Sequence, residues 1–282
     1  MKLGAGENYG IDFQLVAGDF VIASDVGIQA DLKTFSAHSV FGMSVVVSVV
    51  AENTDRVIDI QDVSTDMIGK QIDAVFEDIE VDAVKVGMLS TPDCMNEVAT
   101  KLKYYHLANI VIDPVMYAKN GCPLMEPASI KTLIETVIPL VGVLTPNIPE
   151  AEKITGSRIK SIADMEKAAK AIHAMGCRAV VVKGGHAAGN AVDILFDGIE
   201  ICHFDTARID TKNTHGTGCT FSSAVASQLA RGMNLQEAVQ KAKDYVTMAI
   251  EHSLDIGKGC GPIHHFWRLY QYGLQEERDG GK

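Results

Sequence analysis

Short β-branched runs alternate along this chain with longer stretches of helical spacing, and that alternation constrains the fold more than any other feature. The segments 40–50 (VFGMSVVVSVV), 81–88 (VDAVKVGM), 109–113 (NIVID), 141–144 (VGVL) and 179–183 (AVVVK) are nearly continuous apolar runs. Runs of that kind fit strands buried on both faces, as in a parallel sheet. Between them lie helical patterns. Residues 66–78 with their flank place Met67, Ile68, Ile72, Val75, Phe76 and Ile79 on one face. Thr91-Pro92 opens a helix to about Tyr105, and 129–137 is helical. Residues 161–175 start on Ser161 as N-cap and stop before Gly176. Two more helices cover 217–231 and 235–252. Asp197-Gly198 joins strands 193–196 and 200–204 as a hairpin. Parallel strands need crossovers, so the pattern predicts an α/β fold with helices on both faces of a largely parallel sheet. Ligands of such sheets sit at the carboxyl ends of the strands, which directs attention to the turns that follow them.

The 282 residues, 47% of them hydrophobic, suit one domain over 1–282. A net charge of −11 argues against nucleic acid or an anionic membrane surface as partner. The longest apolar run, 40–51, is too short to span a bilayer and contains Ser44 and Ser48. Residues 1–15 lack the apolar centre of a secretion signal. Six scattered cysteines without a CxxC pair fit neither a disulfide framework nor a zinc site, so a reducing cytoplasm is the expected compartment. There is no internal repeat or linker, and 275–282 (QEERDGGK) reads as a frayed tail.

The stretch 211–220, TKNTHGTGCT, places two glycines and a cysteine where a long apolar helix begins. Glycine is a poor helix former but lets backbone approach a ligand closely. With Gly216 and Gly218 in the turn, the amides of Gly216, Thr217, Gly218 and Cys219 can converge on one point. A helix N-terminus offers unpaired N–H groups and partial positive charge there, so that point attracts an anion. The first turn of a helix also lowers a thiol pKa. The alternative is a plain helix start with a buried cysteine. The spacing is not that of a P-loop.

The longer string NTHGTGCTFSSAVASQLARG resembles the anion-hole signature of the ribokinase-like superfamily, most closely the branch of hydroxymethylpyrimidine and phosphomethylpyrimidine kinases. Further strings match that branch in order: GIQADLKTFSAHSVFGMS at 27–44, KVGML at 85–89, DPVMYAKNG at 113–121, TPNIPEAEKITG at 145–156, VKGGH at 182–186 and GCGPIHHF at 259–266. The resemblance covers roughly 27–266. It implies a three-layer α/β/α ribokinase-like fold with a central, mostly parallel sheet. It also implies ATP-dependent phosphorylation of 4-amino-5-hydroxymethyl-2-methylpyrimidine (HMP), then of its monophosphate, to the diphosphate used for thiamine.

Phosphoryl transfer needs positioning, charge neutralisation and a nucleophile. The HGTGC amides supply donors for the group in flight. Cys219 stands where most ribokinase-like enzymes carry aspartate, as general base or as pocket wall only. The resemblance places Mg²⁺ near Asn147 and Glu150 through ordered water, with Asp113 helping to hold it. Lys183 is set to reach ATP phosphates, or else snorkels at a strand end, and Asn147 and Thr214 belong to the ATP side. Glu52, where the family usually has glutamine, can accept from the 4-amino group of the pyrimidine, or is a solvated strand-end carboxylate. Met88 packs on the ring or is plain core. Asp19, Gly27 and Val115 complete the substrate side, and His215 bonds substrate or caps its turn. His264 and His265 near Cys260 match no recognised metal-ligand spacing. The family is often dimeric.

The chain departs from the family pattern at 17–29. The family usually shows AGSDPSGGAGIQ, whereas this sequence reads AGDFVIASDVGIQ, one residue longer and without consecutive glycines. Val86 replaces the usual threonine, and 1–15 match nothing. Two other functions compete. Pyridoxal or pyridoxamine kinases share GTGC but tend to carry a lid cysteine where Ala118 stands here, with Cys122 four residues on. A non-catalytic pyrimidine binder would explain the altered loop but not the retained Asn147, Glu150, Lys183 and HGTGC.

Overall fold

The structure, a computed structural model, describes residues 12–21, 27–118, 121–185 and 189–273; within 12–21 only the backbone is described. Expectations that fall on 1–11, on Ile22–Val26, on 275–282 and on the Asp19 side chain lie outside the described residues.

Among them, nine strands form one sheet: β1 (Asp12–Val21), β2 (Val40–Glu52), β3 (Val57–Asp62), β4 (Ala83–Val86), β5 (Ile110–Ile112), β6 (Val143–Leu144), β7 (Ala179–Val182), β8 (Ala191–Phe196) and β9 (Ile201–Thr206). Their order is β3-β2-β1-β4-β5-β6-β7-β8-β9. From β2 to β7 every pairing is parallel, while β3 and the β8–β9 hairpin add antiparallel edges. The helices are α1 (Ile28–Ala37), α2 (Thr65–Phe76), α3 (Pro92–Tyr105), α4 (Ser129–Thr132), α5 (Ile148–Thr155), α6 (Ile162–His173), α7 (Thr217–Ala230), α8 (Leu235–Glu251) and α9 (Trp267–Tyr272).

The continuous apolar strands serve two cores. Ile110 and Ile112 of β5 and Val180 and Val182 of β7 join one core with α3, α5 and α6. Their alternates Val111, Ala179 and Val181 join a second with α7 and α8. Period-two alternation thus feeds both faces of one sheet, the three-layer arrangement expected. Helix starts follow the caps read from sequence. Thr91 accepts from the Cys94 amide, and Ser161 from the Asp164 amide. Each such cap contributes about 1 kcal/mol.

Three departures have local causes. The 129–137 helix is α-helical only through Thr132, continues as a π turn over Leu133–Val137 and ends in a 3₁₀ turn over Ile138–Leu140. Pro139 has no N–H to extend an α-helical ladder. β2 runs two residues past the expected end and is not buried throughout, Phe41 being 56% exposed. Its extra length pairs with β3, an exposed edge strand that the sequence pattern does not signal. No expectation covers α1 or α9 either.

Candidate active site

The carboxyl ends of β5, β6 and β7 meet the first turn of α7. Asp113 follows β5, Thr145 to Asn147 follow β6, and Lys183 follows β7. Adjacent parallel strands bring these turns together: Lys183 N–H donates to the Pro146 carbonyl at 2.8 Å, and Thr145 Oγ1 lies 3.3 Å from Asp113 Oδ1. Lys183 Nζ donates to Asp113 Oδ1 at 2.6 Å, with both side chains largely buried.

Asn147 and Glu150 form a reciprocal capping box at the start of α5. Asn147 Oδ1 accepts from the Glu150 amide at 2.9 Å, and Glu150 Oε2 accepts from the Asn147 amide at 2.8 Å. The NxxE pattern is therefore a helix cap as well as a candidate ligand set. Burial pushes the Glu150 carboxyl up to about 7; Lys183 opposes that shift and Asp113 adds to it. Two carboxylates thus face one lysine in a nearly dry corner. Among the described residues no group of three or more His, Cys, Asp or Glu side chains is placed to hold a metal directly. Two hard oxygen donors fit Mg²⁺ only if water and phosphate oxygens fill most of its octahedral shell.

Gly216 is the N-cap of α7 with φ +83°, a conformation glycine adopts without strain. A Cβ on Gly218 would lie 3.1 Å from Asp113 Oδ2 and 3.5 Å from Lys183 Nζ. The missing side chain keeps open the space between the amides of the helix start and the Asp113–Lys183 pair. Cys219, partly exposed, lies near Lys85 and Lys183; burial pulls both ammonium groups down, but Asp31 beside Lys85 and Asp113 and Glu150 beside Lys183 outweigh it, with Cys219 a further influence in the same upward direction. Thr217 Oγ1 donates to the Thr214 carbonyl at 3.0 Å, and Thr214 Oγ1 lies 3.6 Å from Cys260 Sγ. Thr214 therefore shapes the turn from behind.

Glu52 ends β2 and is 5% exposed, so it is no solvated strand-end carboxylate. His215 Nε2 lies 3.3 Å from Glu52 Oε1, which ties the end of β2 to the turn before α7. His215 N–H also donates to the Gly261 carbonyl at 3.1 Å. Val50, two residues before Glu52 on the same strand face, packs in a small cluster with Met88, Val115 and Leu124. Met88 is buried, and that cluster forms an apolar wall next to Glu52. Gly27, at φ +67° and ψ −132°, opens α1 without a side-chain cap.

Several supporting residues carry no local signal in the sequence. Lys85 of β4 is wholly buried and pairs with Asp31 of α1 at 2.8 Å; Ser223 of α7 donates to the other Asp31 oxygen at 2.6 Å. Lys243 of α8 pairs with Asp193 at 2.7 Å, and Asp193 accepts from the Gly184 amide at 2.7 Å, which fixes the turn after Lys183. His265 Nε2 lies 2.9 Å from Thr220 Oγ1, beside Cys219. The lid turn holds one surprise. Ala118 N–H donates to the Cys122 carbonyl at 2.9 Å, so the backbones of Ala118 and Cys122 face each other across the turn.

The family model for phosphomethylpyrimidine kinase matches residues 23–264. A hydroxymethylpyrimidine/phosphomethylpyrimidine kinase of Bacillus subtilis is 44% identical over 242 residues, 85% of this chain and 89% of that protein. A thiamine biosynthesis bifunctional protein, ThiED, of Geobacter sulfurreducens is 47% identical over 240 residues, and the match spans 85% of this chain but 49% of that longer protein. Among solved structures, an ADP complex of Bacillus subtilis pyridoxal kinase superposes with a TM-score of 0.85 at 38% identity, covering 91% of this chain and 98% of that one.

Proposed function

We propose the chemistry of this site from one premise: the chain belongs to the phosphomethylpyrimidine kinase family. It transfers the γ-phosphoryl group of ATP to the hydroxymethyl group of HMP, and then a second one to the resulting monophosphate. The observation that carries the reading is the convergence of the α7 start on Asp113 and Lys183 across a gap kept open by Gly218.

The residues divide the work. Glu52 accepts from the 4-amino group of the pyrimidine, with its orientation fixed by His215, and Met88 and Val115 pack on the ring. Lys183 neutralises ATP phosphates, while Asn147 and Thr214 shape the nucleotide side. Asp113 and Glu150 would hold Mg²⁺ through water, and the ion would neutralise phosphate charge. The Gly216–Cys219 amides hold the oxygens of the transferring group. As the acceptor oxygen bonds to phosphorus, its proton passes to the Cys219 sulfur and the bond to ADP breaks. Water access is the hazard in such a site, and burial of Asp113, Glu150 and Glu52 supports a dry one. Gly27 and Asp19 complete the acceptor side. A cytoplasmic homodimer suits this reading.

Mass spectrometry of HMP incubated with the protein and Mg²⁺-ATP tests it. One and then two added phosphoryl groups are the expected products; an unchanged pyrimidine would overturn the reading. A second reading, pyridoxal kinase, keeps one specific support: a cysteine, Cys122, stands in the same turn as Ala118, its carbonyl accepting from the Ala118 amide. Identity favours the pyrimidine. Among solved structures a phosphomethylpyrimidine kinase of Clostridium difficile is 43% identical to this chain, against 38% for the pyridoxal kinase.

A further inference from the structure

We propose that a second site, separate from the strand ends, binds a small phosphate-bearing ligand in the pocket enclosed by the ends of α1 and α7, by α8 and by the segment leading into α9. The pocket has a volume of roughly 420 Å³, enough for a small metabolite. Its lining brings together Arg231, Lys241 and Arg268 against a single carboxylate, Asp244. In a chain of net charge −11 such a cluster is conspicuous. Asp244 is partly engaged already, accepting from Gln240 Nε2 at 2.8 Å.

The carboxyl ends of α1 and α7 also point here and oppose an anion. Each carries about half a negative charge. Arg231 answers the first directly, its guanidinium donating to the His38 carbonyl at 3.1 Å. The remaining cations leave the pocket positive.

The inner wall points to a ligand as well. Gln228 is 2% exposed, and its amide nitrogen lies 2.8 Å from His38 Nδ1. Its Oε1 and the His38 Nε2 are buried and have no hydrogen-bond partner among the described residues. If Nδ1 accepts, Nε2 carries the proton, so the wall offers one unmet donor and one unmet acceptor. Turning the Gln228 amide over exchanges the two roles and leaves the same inventory. Burial, then the charges of Arg231, Arg268 and Lys241, hold His38 down at about 4, so its ring is neutral near pH 7. Tyr245 packs edge-on against that ring at 4.5 Å and adds a flat apolar side. A phosphate monoester with polar atoms on a compact body matches this set: anion to the cations at the rim, heteroatoms to the wall.

The site has a route to the active centre. His265 lines the pocket and reaches Thr220, the residue after Cys219. Tyr245, also in the lining, donates to the His265 carbonyl at 2.8 Å. This route rests on the proposed role of the α7 start; the binding site itself does not.

Inorganic pyrophosphate is the probe, and two titrations of the full chain decide. Calorimetry should find a site that survives Lys183→Met and weakens at least about tenfold in an Arg268→Gln, Lys241→Gln double variant. Both pocket substitutions are at exposed positions, so the core is untouched. Trp267, the one tryptophan of the chain, adjoins Arg268 and stacks on His252 at 3.8 Å, so its fluorescence reports binding at this end of the molecule. A saturable change lost in the double variant is the expected result. Pyrophosphate binding abolished by Lys183→Met alone, or insensitive to the pocket substitutions, would overturn the second site. Kinase activity absent with the pocket titration intact would count against the proposed reaction and leave this site standing.

Discussion

The proposed chemistry turns on Cys219. It sits at the third position of α7, partly exposed, with the lysines of β4 and of the β7 end nearby. If its sulfur takes the acceptor proton, Cys219→Ala lowers kcat at least about a hundredfold while KM for ATP holds. Steady-state kinetics of the variant checks this, and near-normal turnover would reduce the cysteine to pocket wall. Most of this corner was legible in the chain. Strand-end placement together with the family resemblance pointed to Asp113, Asn147 and Lys183, which the fold brings together, and glycine spacing pointed to the α7 turn. The Glu52–His215 contact was not legible, because its partners lie far apart in sequence and meet only when the end of β2 and the turn before α7 come together. The same holds for the Asp31–Lys85 pair and its Ser223 bond, separated by 54 and 192 positions.

At the scale of elements, the proposed function asks α7 to be both a stable helix and an open anion site. Gly218 serves the second need at the expense of the first. Gly218→Ala gains about 1 kcal/mol of helix propensity, but its methyl enters the gap over Asp113 and Lys183. The expected outcome is an unchanged or raised melting temperature with kcat down at least about tenfold, seen by calorimetry and kinetics together. The buried Lys85–Asp31 pair bonds β4 to α1, and Ser223 extends it to α7. Removing one partner strands a charge, so Lys85→Met should cost about 3–5 kcal/mol in denaturant unfolding, and adding Asp31→Leu should recover most of it. The elements themselves were mostly readable: caps and apolar periods located α2, α3, α6, α7 and α8. The π turn after α4 and the edge strand β3 were not, since one depends on how a proline ends a helix in place and the other on pairing with a distant strand.

Across the whole molecule, one sheet with a core on each face holds the proposed catalytic corner at its carboxyl edge. Alternating strand residues specify that plan, which is why it could be read from sequence, and the family match over 23–264 agrees with it. Substrate choice belongs to this scale because the proposed acceptor site draws together β2, the turns after β4 and β5 and the turn before α7. The measurement that tests the account most directly is coupled ADP release with Mg²⁺-ATP and three acceptors: HMP, its monophosphate and pyridoxal. The account predicts turnover on both pyrimidines, with kcat/KM above that for pyridoxal. Turnover on pyridoxal alone, or on none of the three, would contradict it.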